Sequence, residues 1–317
     1  MRISSLTYFT SSLGAMQTNQ ANIARLSEQI ASDTRILSPK DDPLATGKAL
    51  DLSNRVALRD QHLANQQKAE LDLNYESTVL NGMRGVLNNV NKQLTGMSPN
   101  QTQALRDQYA AIVNGAYIQL KELANTRNPE GNYIFGGYQS GVVPFTHSPA
   151  YGTATTVSPD TTYNGTAYGS ATAPAGVRSI EVASGRDIQV NDNLDVMFQS
   201  GAAPGKDDIL RTVDQLAVDL KAGTITQAQL DTTITKVNTA LTALGRMESR
   251  VGAAQVELKE VGTATRSLRL AEQSALSGLL QLDKAAAIIE QQSRQTSLEA
   301  AQRAYAQTSK LSLFSYL

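Results

Sequence analysis

The sequence predicts a mainly α protein: a long helical bundle or coiled coil formed by the N- and C-terminal segments, with a small β-rich insertion domain between them. Three observations lead there. Apolar residues at both ends recur at alternating steps of three and four. Two longer internal segments carry the same heptad rhythm. A middle stretch rich in Thr, Tyr, Gly, Pro and Ser carries none of it.

The first helix is expected from about Ser4 to Ile36. Leu6, Phe9, Leu13, Met16, Ile23 and Ile30 form its stripe, with polar Gln20 and Ser27 in the remaining seam positions. Pro39 and Pro43 then stop it. Asp42-Pro43 restarts a helix, with Asp as the cap and Pro at the first helical position. That second helix should run to about Leu94, and its Leu73, Leu80, Leu87 and Leu94 are seven apart. After the break at residues 96–100, a helix from about Thr102 to Ala124 carries Leu105, Tyr109, Ile112, Ala116 and Leu123, with Gln119 as the polar exception.

Asn128 to Asn132 is a turn, followed by the β-prone Tyr133-Ile134-Phe135-Gly136-Gly137-Tyr138. Within the insertion, residues 179–182 and 187–190 read as strands joined by a Ser184-Gly185 turn. Ile209, Val213, Leu216 and Leu220 make a short helix that ends near Gly223. A long helix follows, with Leu230, Ile234, Val237, Leu241, Leu244, Met247, Val251, Ala254, Leu258, Val261, Thr265 and Leu268 on its seam. The two successive steps of three around Leu244 read as a stammer, which should overwind the seam. The helix is expected to continue to about Ser309, with or without a break near Ser274. Leu279, Leu282, Ala286 and Ile289 keep the rhythm, and beyond Ile289 the seam turns polar. An apolar tail, residues 311–317, closes the chain.

Composition excludes several functions. The chain has 317 residues and a net charge of −1, from 28 basic and 29 acidic side chains. That balance implies no sequence-wide attraction to nucleic acid or to an anionic membrane. Aromatics are 5% and there is no Trp, which suits long helices with light seams better than one thick core. Cysteine is absent, which removes disulfides, thiolate metal sites and a Cys nucleophile. Such a chain suits a protein that travels unfolded and ends outside the cell, and it equally suits a cysteine-free cytosolic bacterial protein. Residues 1–13 hold one basic residue, Arg2, and no continuous apolar core, so no cleaved secretory signal is expected. No stretch approaches the roughly 20 apolar residues that span a bilayer.

No catalytic set is visible. His62 lies in a polar stretch of helix and reads as a solvated surface residue; His147 sits in a Pro-flanked loop. Asp41 and Asp42 are adjacent carboxylates at a helix start, where capping is their role. Gly136, Gly137 and Gly141 lack the spacing of a phosphate loop. Asn191, Asn193 and Asp195 echo a calcium loop, but Val196 stands where its Gly belongs. Asn100-Gln101-Thr102 and Asn164-Gly165-Thr166 are sequons by pattern only. No cofactor and no metal site is expected.

At Arg35-Ile36-Leu37-Ser38-Pro39-Lys40-Asp41-Asp42-Pro43 the chain resembles the flagellin superfamily, in the loop after the first helix. Residues 243–250, Ala-Leu-Gly-Arg-Met-Glu-Ser-Arg, resemble the matching segment on the return helix. The resemblance covers about the first 140 and the last 110 residues. The start Met1-Arg2-Ile3-Ser4, the run 133–138, Pro144-Phe145 and the ending Leu311-Ser312-Leu313-Phe314 are most similar to the flagellin-like hook-associated proteins of the hook–filament junction.

This resemblance implies terminal assembly helices at 1–42 and 270–317, forming an inner coiled-coil domain. It implies a rod-like helical domain at 43–140 and 206–269, and a variable β-rich insertion at 141–205. It implies a structural protein exported unfolded through the flagellar type III apparatus, not an enzyme. That protein would link the hook to the filament and nucleate flagellin. The implied partners are further copies in a ring, a neighbouring hook-associated protein, flagellin, and a cytosolic export chaperone on the C-terminal helix. Nucleic acid and membrane insertion are not among them. The assembly positions would be Leu6, Phe9, Leu13, Met16, Ile23, Ile30, Leu279, Leu282, Ile289, Leu298, Tyr305, Leu313 and Phe314. The rival readings are a minor flagellin, a ligand-binding or enzymatic module in the insertion, a coiled-coil signalling protein, and an ordinary helical bundle.

Overall fold

The computed structural model describes residues 2–138, 140–146, 162–163, 177–192, 194 and 209–314; side chains 2–6, 8, 146, 162–163 and 308–314 are outside the description. Its helices are α1 (Arg2–Ser32), α2 (Pro43–Thr95), α3 (Gln103–Ala124), α4 (Ile209–Ala222), α5 (Gln227–Leu280) and α6 (Lys284–Phe314). Two antiparallel strand pairs interrupt them. β1 (Phe145–Thr146) pairs with β2 (Thr162–Tyr163), and β3 (Ser179–Ala183) pairs with β4 (Arg186–Gln189). The fold is mainly α with a small β insertion, as expected. Two units result: residues 1–59 with 267–317, and residues 60–266.

In the second unit, α2 and α5 run antiparallel, a direction fixed by their cross-links. Gln66 Nε2 donates to Thr265 Oγ1 at 3.1 Å, Gln255 Nε2 to Asn74 Oδ1 at 3.0 Å, Arg84 Nε to Glu248 Oε1 at 2.8 Å, and Asn91 Nδ2 to Asn238 Oδ1 at 3.0 Å. The buried seam of α2 in this unit is 62, 66, 69, 73, 76, 80, 83, 87, 90 and 94, an unbroken four-three alternation, with Val79 buried beside it. On α5 the buried seam is 230, 233, 237, 240, 244, 247, 251, 254, 258, 261 and 265, with Gly262 buried beside it. It too is unbroken, so the expected stammer is absent. Thr233 and Ala240 are the seam residues. Ile234 and Leu241, the larger neighbours, only flank the core. A heptad seam is set by angle on the helix, and a small residue at the right angle takes precedence over a large one beside it.

His62 corrects another expectation, being 3% exposed. Its polar neighbours Asp60 and Gln61 point elsewhere around the helix, while position 62 falls on the seam.

Helix α3 is also turned relative to the expected face. Ala110, Val113, Ala116, Tyr117, Leu120 and Ala124 are buried, while Leu105 and Ile112 are exposed. Alanines at 110, 116 and 124, with Ala217 on the facing helix, let α3 pack closely against α4. α4 buries Ile209, Leu210, Val213, Leu216 and Leu220, as its spacing requires. It stops at Gly223, whose φ of 71° is the left-handed helix ending that glycine allows. The β3–β4 turn sits at Ser184-Gly185 as read from sequence, with Gly185 at φ 68°. His147, Asn164, Asn193 and Asp195 lie outside the described residues.

Candidate assembly interface

In the first unit, the two ends of the chain pack on each other. Ring contact between Phe9 and Tyr305 is edge-on, with centroids 5.5 Å apart and planes at 83°. Met16 and Ala287 are buried, and Ile23, Leu26, Ile30, Leu298 and Ala301 are half-buried. Gln291 Nε2 donates to Ser27 Oγ at 2.7 Å. The inward face of α1 is 9, 12, 16, 19, 23, 26 and 30; that of α6 is 287, 291, 294, 298, 301 and 305. Each alternates three and four; most members on α6 are small or polar, whereas those on α1 are mostly large and apolar. Ser12, Asn19, Ala287 and Ala301 permit a close helix pair but supply little apolar area.

The expected positions therefore divide. Phe9, Met16, Ile23, Ile30, Leu298 and Tyr305 are on the inward faces of α1 and α6. Leu13 is 49% exposed and Ile289 is 71% exposed. Positions 13 and 289 were placed on the paired seam by their size. The seam runs one residue away at 12 on α1 and two away at 287 on α6, where the side chains are small. Leu282 was expected to continue the helical rhythm. It lies instead in the non-helical link between α5 and α6, at residues 281–283. The helix break falls there and not near Ser274. Leu279 is half-buried in the last turn of α5. The side chains of Leu6, Leu313 and Phe314 lie outside the described residues.

That link is tied to the loop after α1. Arg35 N donates to Leu280 O at 2.8 Å, and Arg35 Nη2 to Leu279 O at 3.3 Å. Thr34 and Gln281 form an antiparallel bridge. Lys284 pairs with Asp33 at 3.1 Å, and Gln29 Nε2 donates to Arg35 O at 2.6 Å. Asp33, with φ at 55°, turns the chain sharply after α1.

The two aspartates complete the joint: Asp42 caps α2 as expected, whereas Asp41 holds the loop before it. Ala45 N donates to Asp42 Oδ1 at 2.9 Å, and Arg35 pairs with Asp42 Oδ2 at 3.3 Å. The N–H of Ala45, foremost, holds the Asp42 carboxyl below its ordinary range; Arg35 adds to this against a desolvation effect. Asp41 Oδ2 accepts the N–H groups of Leu37 and Ser38 at 3.2 and 3.0 Å, and its other oxygen faces Arg25 at 3.3 Å. No sequence signal links Arg35 to Leu280 before the fold is known.

Further apolar residues stand exposed in the same unit: Leu44, Leu50 and Leu58 on α2, Leu268 and Leu270 on α5, and Ile288 on α6. Among the described residues, no group of three or more His, Asp or Glu side chains is placed to hold a metal ion, and no helix is long and apolar enough to cross a membrane.

The known proteins that this chain is similar to are flagellar. Residues 3–140 match the bacterial flagellin N-terminal helical region. Flagellar hook-associated protein 3 of Escherichia coli (strain K12) is 25% identical over 335 residues, covering 99% of this chain and 99% of that protein. Along nearly its whole length this chain is similar to a flagellin-like hook-associated protein. The protein of the same name from Salmonella typhimurium is 29% identical over 147 residues, covering 46% of each chain. Among solved structures, the hook-associated protein-3 of Legionella pneumophila superposes with a TM-score of 0.58 at 15% identity, covering 72% of this chain and 98% of that one. At that identity the structural match speaks for the fold alone. The end-to-end sequence match is what relates this helical architecture to flagellar proteins.

Proposed function

We infer that this chain is a structural protein of the bacterial flagellum, acting at the hook–filament junction. The observation that carries this is the match along 99% of both chains to flagellar hook-associated protein 3. The flagellin-type N-terminal region and the paired terminal helices agree with it. A minor flagellin is the less supported reading.

Copies of the chain form a ring through the terminal helices. One side of the ring meets a neighbouring hook-associated protein, and the other starts flagellin polymerisation. The chain leaves the cytoplasm unfolded through the flagellar export apparatus, after a transient cytoplasmic stay. A chaperone holds the polar-seamed segment from about Ala275 onward until export. The physical logic is coupled folding and assembly: a thin seam offsets little of the ordering cost, and a neighbour supplies the missing apolar contact.

The role is structural. Its assembly face comprises the outward Leu13 and Ile289, together with Leu6, Leu279, Leu282, Leu313 and Phe314. Phe9, Met16, Ile23, Ile30, Leu298 and Tyr305 act in assembly by holding α1 against α6. Purified chain mixed with flagellin monomers tests the nucleating part. Native chain should shorten the lag of filament growth, and Leu13→Asp should not. An equal lag with and without the native chain contradicts nucleation.

A further inference from the structure

The second unit contains a charged cluster that the assembly role does not use. Glu76 occupies a seam position of α2 between Leu73 and Leu80 and is 0% exposed. Its Oε2 accepts from Arg250 Nη2, on α5, at 2.9 Å. Its Oε1 accepts the backbone N–H of Asp192, just past β4. Arg250 Nε donates to the Asp192 carboxylate at 2.9 Å, and Arg250 Nη1 to Gln189 O, at the end of β4, at 3.2 Å. One cation thus serves two carboxylates, and all three groups join the end of the hairpin to the α2/α5 pair.

Neighbouring charges do not relieve the imbalance. On α2 and α5, Arg84 closes with Glu248. On the hairpin, Arg186 pairs with Glu257 at 2.8 Å. Asp72, one turn before Glu76, faces Arg178, Lys68 and Glu130. Gln189 and Asn191, the other polar groups at the hairpin end, are neutral. The groups facing Glu76 are therefore Arg250 from α5 and Asp192 from the hairpin.

We propose that Glu76, Asp192 and Arg250 form a proton-operated latch, in which one proton held between the two carboxylates keeps the β3–β4 hairpin docked and its loss releases the hairpin. With the proton in place the cluster is neutral: one guanidinium, one carboxylate, one carboxylic acid. When the proton leaves to solvent, two buried carboxylates share one cation. Glu76 cannot escape, because its helix is fixed by Leu73 and Leu80. Asp192 can do so if the short hairpin before it undocks, which lifts Val182, Ile188 and Val190 from the core with it.

The remaining polar ties are neutral amides, Asn65 Nδ2 to Glu181 O and Gln66 Nε2 to Val182 O, each at 2.8 Å, and Asn191 Nδ2 to Ile134 O at 3.2 Å, with the exposed Arg186–Glu257 pair; Val182, Ile188 and Val190 also pack in the core, so release must overcome their burial. Burial, with the Asp192 charge second and Arg250 opposing, pushes the Glu76 carboxyl up to about 8. The sign follows: a carboxyl whose folded value is raised favours the docked, protonated state at lower pH. That contribution is lost as pH rises from the unfolded value through the folded one.

The cysteine-free chain allows a direct test. Spin labels are placed at Ser184→Cys, on the hairpin turn, and Ala253→Cys, on α5, both exposed. Pulsed dipolar distances are read at about pH 6.5 and about pH 9.5, with the released fraction expected to rise about tenfold per pH unit until it saturates, the slope of a single proton. The native cluster should give a narrow distribution at the lower pH and a broad, longer one at the higher. Adding Glu76→Gln or Asp192→Asn should leave it narrow at both. Should Glu76→Gln disturb the helix pair, Asp192→Asn decides, because it lies off the seam. A native distribution unchanged by pH, or an Asp192→Asn chain that broadens at about pH 9.5 like the native one, overturns the latch.

Discussion

The backbone N–H of Arg35 donates to the carbonyl of Leu280 at 2.8 Å, joining residues far apart in the chain at the one level where both helical strands break. The α1–α2 loop and the α5–α6 link are therefore one joint. Arg35 contributes its N–H to Leu280, its carbonyl to Gln29, and its guanidinium to Asp42 and Leu279. Arg35→Ala should accelerate proteolytic cleavage at 33–42 and at 281–283 together, while leaving residues 60–266 resistant. Acceleration at only one of the two segments contradicts a shared joint.

Outward and inward positions of α1 should respond differently to charge. Leu13 is exposed, so Leu13→Asp should change the melting of the free chain by no more than about 0.5 kcal/mol, yet abolish incorporation into the flagellum. Met16 is buried, so Met16→Asp places an unpaired charge between α1 and α6 and should separate them. Circular dichroism of the free chains and immunolabelling of flagella distinguish the two. Normal incorporation of Leu13→Asp contradicts the role given to that face.

The division between these residues shows what the sequence carried. Heptad spacing at Leu73, Leu80, Leu87 and Leu94 located α2 and its buried face, because large apolar residues occupy the seam there. Where small residues hold the seam, reading by size failed. Ser12, Thr233, Ala240 and Ala287 were passed over for Leu13, Ile234, Leu241 and Ile289. A stammer that does not exist followed from that choice. His62 and Glu76 were missed for the same reason, since polar residues on a seam look like surface until the angle around the helix is known. The Arg35–Leu280 tie and the Arg250 cluster needed the fold itself, because their partners are remote in sequence.

The corrected α5 seam predicts an inverted order of mutational cost. Ala240→Leu, although it adds apolar surface, should destabilise the chain by about 1–3 kcal/mol through overpacking. Leu241→Ala should cost less than Leu80→Ala, for which about 2–5 kcal/mol is expected. Denaturant titration of each variant measures this. A stabilising Ala240→Leu contradicts the seam.

The joint should loosen in acid. Asp42 has its carboxyl held below the ordinary range, chiefly by the N–H of Ala45 and then by Arg35. A folded value below the unfolded one contributes stability above the unfolded value, and that stability is lost as pH falls through the folded value. Hydrogen exchange at Ala45 and Arg35, corrected for intrinsic rate, should rise between about pH 6 and about pH 3. Asp42→Asn should remove most of that rise. A native chain with flat protection across the range contradicts the charge-assisted cap.

The most direct test of the junction role is deletion of the gene in its own host, with electron microscopy of the cells and an assay for flagellin in the medium. The account predicts hooks without filaments, and flagellin secreted but unpolymerised. Normal filaments on the deleted strain would contradict it.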